Sequence, residues 1–286
     1  MADIPALIFD RALQRRRLAR ALARAPADFL FRHAADELIA RLGAVQRDFA
    51  RVLDLGAPTP ALSAQLAAPG RLVVRTAPIA VAGALAVDEE ALPFADGVFQ
   101  LIVSCLALHH VNDLPGALIQ IRRALAPDGL FLAAALGGRS LNELRAAFTQ
   151  AQAELEGGAS PRVAPFADVR DFGRLLQRAG FALPVADSDE TIVRYDTMFG
   201  LMADLRAMGA TNALVARART PLRRATLLRA AQIYAERFAD ADGRVRATFE
   251  FIWLSGWAPH ESQQKPLAPG SAKMRLADAL AALRKD

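Results

Sequence analysis

A chain of 286 residues with 53% hydrophobic residues is long enough to bury one large core. An aromatic share of 7% beside abundant Ala, Leu and Arg predicts a helix-rich α/β protein. Its single cysteine, Cys105, excludes a disulfide within the chain and fits a reducing cytoplasm. No apolar run approaches the roughly 20 residues of a membrane span, and the start lacks a signal-peptide hydrophobic region, so a soluble, cytoplasmic protein is expected.

The net charge is +5, and the first predicted helix can account for it. There Arg11, Arg15, Arg16, Arg17, Arg20 and Arg24 stand against Asp10, with Ile8, Leu13, Leu18 and Leu22 roughly on one face. Such a helix can meet an acidic partner, an anionic membrane or nucleic acid. The plainer expectation is a solvated face on an amphipathic lid, since no nucleic-acid module accompanies it.

Strands and helices then alternate, the pattern of a doubly wound parallel sheet. Strands are predicted at 51–55, closed by Gly56, at 71–75, and at a third short run ending near Val87-Asp88. The apolar run 98–104 predicts a strand buried on both faces. A helix over 114–126 stops at Pro127-Asp128-Gly129, and a fifth strand follows over 130–136. Helices are predicted at 141–155, 166–180, 198–208 and 222–238. Ile192–Tyr195 belongs to a sixth strand, and 247–257 to a last, antiparallel one. Without repeats or low-complexity linkers, one domain is expected: N-terminal helices over 1–50, core over 51–195, helical insertion over 196–240, last strand and tail over 241–286.

Residues 85–132 resemble the second half of the S-adenosylmethionine-dependent methyltransferase core. The resemblance lies in Asp88-Glu89-Glu90-Ala91-Leu92-Pro93-Phe94, in Leu108-His109-His110-Val111-Asn112-Asp113 and in Pro127-Asp128-Gly129. From Phe9-Asp10-Arg11 onward the chain is similar to the methyltransferase-like assembly factors of mitochondrial complex I and their bacterial homologues. Gly157-Gly158-Ala159-Ser160-Pro161-Arg162, Leu201–Gly209 and Gly256-Trp257-Ala258-Pro259-His260-Glu261-Ser262-Gln263 carry the likeness to the end. The mitochondrial members are arginine hydroxylases acting on a complex I subunit. Biotin-pathway carboxyl methyltransferases share the fold and the opening, and less of the tail. Because the likeness begins at Phe9, no removable transit peptide is expected.

The resemblance implies a class I methyltransferase, Rossmann-like fold, S-adenosylmethionine as cofactor, and a protein client, a complex I subunit reached at a membrane-associated assembly. By position it implies cofactor contacts at Asp54, Gly56, Asp88, Glu89 and Ser104. Thr76, ending the second strand, stands where the family's ribose-binding acid belongs, and His109 is expected to pack beside the cofactor cleft. The chain departs from the family pattern with Pro58 and Pro60 in place of loop glycines, Thr76 in place of an acid, Gln100 in place of Asp and His110 in place of Trp. Proline fixes φ and removes an N–H, and a hydroxyl cannot accept as a bidentate carboxylate does. Three readings follow: an enzyme methylating or hydroxylating a protein, a non-catalytic chaperone on the same scaffold, and a carboxyl methyltransferase.

No catalytic residue is singled out. The adjacent histidines are expected to point to different sides, without a metal. His260, Glu261 and Ser262 are expected to fasten the tail rather than to form a nucleophile set, and Trp253 and Trp257, four apart, to pack on one sheet face. Gly137-Gly138 is either a turn or a floor for substrate entry.

Overall fold

The computed structural model describes residues 7–264. Seven strands form one sheet: β1 (Arg51–Asp54), β2 (Leu72–Ala77), β3 (Leu85–Ala86), β4 (Phe99–Cys105), β5 (Leu125–Leu136), β6 (Ala182–Tyr195) and β7 (Val245–Trp257). Their spatial order is β3-β2-β1-β4-β5-β7-β6. The first five run parallel, while β7 is antiparallel to both β5 and β6. The order reverses between β1 and β4, so the crevice outside their carboxyl ends is where an open α/β sheet takes its ligand.

Alternation along the central strands fills both faces. Val52, Leu101, Val103, Leu130 and Leu132 point into one core layer, Leu53, Ile102, Phe131 and Ala133 into the other. The first layer is covered by α2 (Phe29–Gly43), α3 (Ala61–Leu66), α5 (Asn142–Glu156), α7 (Met198–Ala207) and α8 (Arg224–Phe238). Across the sheet, α4 (Leu114–Ala124) buries Ala117, Leu118 and Ile121, and α6 (Val169–Arg178) buries Phe172 and Leu176. The remaining helix, α1 (Arg11–Leu22), lies at the carboxyl ends of the strands.

The expected elements are all present, with shifted ends. The fourth helix stops at Ala124, and β5 already begins at Leu125, so Pro127-Asp128-Gly129 lies inside that strand and not at a helix end. Asp128, at φ 60°, faces Arg47 at 2.6 Å and accepts a bond from Gln263 at 2.8 Å. That last bond ties down the tail, while His260 Nδ1 stays local, 2.8 Å from the Ser262 hydroxyl. Trp253 and Trp257 do share a face, each under a guanidinium, Arg41 and Arg47 respectively. Gly137 is a turn whose missing side chain makes room for the buried Glu250, because a Cβ there would meet the Glu250 carboxylate at 2.4 Å.

Between β6 and β7, Tyr234 of α8 is wholly buried and its hydroxyl donates to the Arg246 carbonyl at 2.7 Å. Tyr234→Phe leaves that carbonyl without its partner. Urea unfolding is expected to show a loss of about 1–2 kcal/mol with an unchanged m-value.

Candidate functional site

The seven sequence-nominated residues separate into two groups. Gly56, Glu89 and His109 line one cavity of about 170 Å³ beneath α1, and Asp88 stands at its edge. Asp54, Thr76 and Ser104 are fully buried behind it and occupied by internal bonds or by packing. Ser104 Oγ donates to the Leu55 carbonyl at 3.1 Å. Thr76 Oγ1 accepts from the Gly56 N–H at 3.1 Å and donates to the Asp54 carbonyl at 3.3 Å. Gly56 has φ +78°, and a Cβ there would lie 2.5 Å from the Ala107 Cβ and 3.0 Å from a Glu89 oxygen. Glycine is required here, for the left-handed backbone and for the close approach of the loop after β4.

Asp54 is the electrostatic outlier. Neither carboxylate oxygen has a hydrogen-bond partner. Burial pushes its pKa up to about 7, opposed by the Arg75 charge and by the Ser63 N–H, which falls short of hydrogen-bond geometry. Burial, and then Asp54, also pushes the neighbouring Cys105 thiol well up, so it is not a thiolate nucleophile.

The arginine-rich helix corrects the expectation of a solvated face. Arg16, Arg20 and Arg24 are exposed, whereas Arg11, Arg15 and Arg17 turn inward. Arg11 Nη2 bonds Asp88 Oδ1 at 2.9 Å and Glu89 Oε2, and its Nη1 donates to the His110 carbonyl at 3.2 Å. Arg15 bonds the other Asp88 oxygen, and Arg17 donates to the Asn212 carbonyl. The backbone before α1 is pinned from two directions. Asn112 Oδ1 accepts from the Ile8 and Phe9 N–H groups at 2.9 and 2.8 Å, while its amide donates to the Phe9 carbonyl at 3.1 Å. On the other side, the Asp10 N–H bonds the Ala213 carbonyl and the Val215 N–H the Ile8 carbonyl. Asp10 itself caps the helix by accepting from the Leu13 N–H. The sequence reading missed Arg11 and Arg15 as site residues. The signal was there, as arginines four apart on the helix, but their acidic partners lie more than 70 residues away.

The histidines also correct an expectation. They occupy a single 3-10 turn, Leu108–His110, and their rings lie 4.2 Å apart instead of on opposite sides. Burial holds His109 well below its usual range, with His110 adding to it. His110 is pushed down to about 4, by burial first and then by Arg11. Both are neutral at neutral pH, and His109 Nδ1 is buried without a partner. Thr59 also lines the cavity, and its Oγ1 is likewise without a hydrogen-bond partner. Among the described residues no three His, Cys, Asp or Glu side chains form a metal-holding group.

Residues 27–184 match the methyltransferase-domain family. The chain is 37% identical to "Arginine-hydroxylase NDUFAF5, mitochondrial" of Danio rerio, over 95% of this chain and 89% of that protein. The mouse protein of the same name is 39% identical over 95% and 83%. This chain belongs to the NDUFAF5-type methyltransferase family. The malonyl-[acyl-carrier protein] O-methyltransferase of Halorhodospira halophila is 35% identical over 86% of both chains. Among solved structures, YcgJ of Bacillus subtilis superposes with a TM-score of 0.54 at 15% identity, over 79% of this chain and 99% of that one. The Haemonchus contortus phosphoethanolamine N-methyltransferase 2, solved with S-adenosyl-L-methionine, gives 0.50 at 15% identity, over 86% and 60%. These likenesses confirm the class I methyltransferase fold of this NDUFAF5-type chain.

The polar groups that S-adenosylmethionine, which that fold implies, would address are engaged with other groups of the chain. The Gly56 N–H is committed to Thr76, and the Thr76 hydroxyl to Asp54. Pro58 and Pro60 bring no N–H to the loop. The two acids on the far wall, Asp88 and Glu89, are already paired with Arg11 and Arg15.

The orphaned Asp54 yields a pH test. Its folded pKa of about 7 lies above the unfolded value of about 3.9. The native state therefore holds the extra proton between them, and stability is lost as pH rises from about 4 to about 7, by a few kcal/mol in all. Asp54→Asn removes that slope. Urea midpoints are expected to be higher for the variant at pH 8, with the gap closing towards pH 4.

Proposed function

We propose that this chain is a methyltransferase-superfamily assembly factor that acts on an arginine side chain of a protein client, in building the respiratory NADH:quinone oxidoreductase. The likeness that carries the reading is to relatives named arginine-hydroxylase, which runs over 95% of this chain and so includes α7, α8 and the last strand. The malonyl-[acyl-carrier protein] O-methyltransferase of Halorhodospira halophila matches less of it, 86%. The client belongs to a membrane-bound complex, so contact with the membrane is peripheral; no helix among the described residues is long and apolar enough to span it. We place this work in the bacterial cytoplasm, a setting supported by the lone, buried Cys105.

A second reading, a chaperone that holds the client without chemistry, is favoured by the committed Thr76 and the filled acid pair. In the first reading Gly56, Asp88, Glu89 and His109 are the cofactor contacts, with Asp54, Thr76 and Ser104 supporting them from behind. Calorimetric titration with S-adenosylmethionine and S-adenosylhomocysteine separates the two. The comparison is with a chain carrying Pro58→Gly, Pro60→Gly and Thr76→Asp. Micromolar binding by the unaltered chain is the result expected of an enzyme, with a matching rise in melting temperature. Binding only by the altered chain would sink the enzyme reading and leave the chaperone.

A further inference from the structure

A second cavity, of about 230 Å³, lies beside the first and shares Leu30, His110, Leu136, Met208 and Ala210 with it. Its other walls come from α5, from the loop over 162–166, from α7 and from the segment 210–214. Leu144, Phe148, Met202 and Phe249 are typical of that lining, which is mostly apolar. Among the described residues no carboxylate lines it, and its one histidine, His110, is neutral at neutral pH. The only charges in its walls are two guanidinium groups, those of Arg162 and Arg206.

Arg162 is held in place by its own chain. Gln152, 2% exposed, accepts from the Arg162 Nε at 3.4 Å and from the Ser160 N–H at 3.3 Å. The Asn212 amide fastens the same loop by donating to the Pro161 carbonyl at 2.8 Å. With Nε engaged, the two terminal nitrogens of Arg162 form no hydrogen bond or ion pair among the described residues. Glu156, an acid whose charge reaches Arg162, spends its oxygens on the Thr226 hydroxyl at 2.6 Å and the Gln152 amide at 3.1 Å. Arg206, in the last turn of α7, likewise makes no side-chain hydrogen bond or ion pair among the described residues. A partly buried guanidinium against apolar walls favours an anion, because it has lost part of its hydration and keeps its charge. A cationic guest would add a third positive charge and meet no acid in the walls.

From this lining we infer that the second cavity is a binding site for an aliphatic carboxylate, its chain among the apolar side chains and its head on Arg162, with Arg206 adding to the field. The terminal nitrogens of a guanidinium match the two oxygens of a carboxylate, whereas a hydroxyl or an amine uses that fork poorly or not at all. An apolar cavity of about 150 Å³ takes a six-carbon ring, so this one suits a chain of about eight carbons. The inference goes beyond the client's arginine and stands independently of it, since that side chain would find no acid here.

The probe is octanoate, titrated calorimetrically into the full chain, with octylammonium, octanol and acetate as controls. One octanoate per chain is expected to bind, with a dissociation constant of about 0.1 mM. Octanol should bind about ten-fold more weakly, as should octanoate to Arg162→Gln, with a smaller loss for Arg206→Gln. Octylammonium and acetate should not bind, and Arg20→Gln, on the exposed face of α1, should leave octanoate binding unchanged. Equal binding of octanoate and octylammonium, or octanoate binding that neither cavity arginine alters, refutes the anion site and leaves an apolar void. No octanoate binding overturns the proposal outright. If Arg162→Gln loses its cooperative melting transition, the exposed Arg206→Gln and the octanol comparison decide: a loss in both supports the site, and no loss in either refutes it. S-adenosylmethionine is titrated into the same samples. Cofactor binding without octanoate binding removes the carboxylate site and keeps the enzyme reading, and the converse removes only the enzyme reading.

Discussion

The carboxylate of Glu89 is nearly sealed from water, and a buried charge needs a partner close at hand. No cation of its own strand region supplies one; the partner is Arg11, 78 residues earlier. Removing one member of such a pair costs about 3–5 kcal/mol, because the other charge stays buried. That cost helps keep α1 over the carboxyl ends of the sheet. Asn112 completes the fixture: its N–H bonds a Glu90 oxygen at 2.6 Å while its side chain grips the backbone of Ile8 and Phe9. The acidic segment after β3, the turn after β4 and the first helix therefore form one bonded unit, and the cavity is the space they enclose.

Fold and cofactor affinity depend on different residues here. The strand order of a methyltransferase depends on the apolar pattern of its central strands, which this chain keeps. Cofactor affinity depends on a few free donors and acceptors at strand ends, and here those are engaged with one another. Thr76 closes the Gly56 loop from behind, Ala107 presses on it from the side, and the acids are held by arginines.

Much of the fold was legible from the chain alone, because buried strands write their period into the sequence and helices are stopped by Gly and Pro. The continuous run 98–104 and the apolar spacing of 114–124 specify their elements without long-range help. Boundaries were less legible where a long-range partner decides them. Asp128 adopts a left-handed backbone within β5 while bonded to Arg47 and Gln263, so a sequence that reads as a helix stop lies inside a strand. The two histidines were misread for a related reason: a 3-10 turn brings neighbours together where an extended chain would separate them.

The sequence by itself determined the family, the sheet and the identity of the residues at its carboxyl edge, since these follow from local pattern and from long matching stretches. It also marked the departures from the family pattern at Pro58, Pro60 and Thr76, because a missing N–H or carboxylate is written in the covalent structure. Only the tertiary structure decided what fills the site. Arginines that read as a solvated face are drawn inward by Asp88 and Glu89, and Asp54, Thr76 and Ser104 withdraw behind the cavity they were expected to line. Charge pairing acts through space and not along the chain, so partners 73 to 78 residues apart left no periodic trace to read.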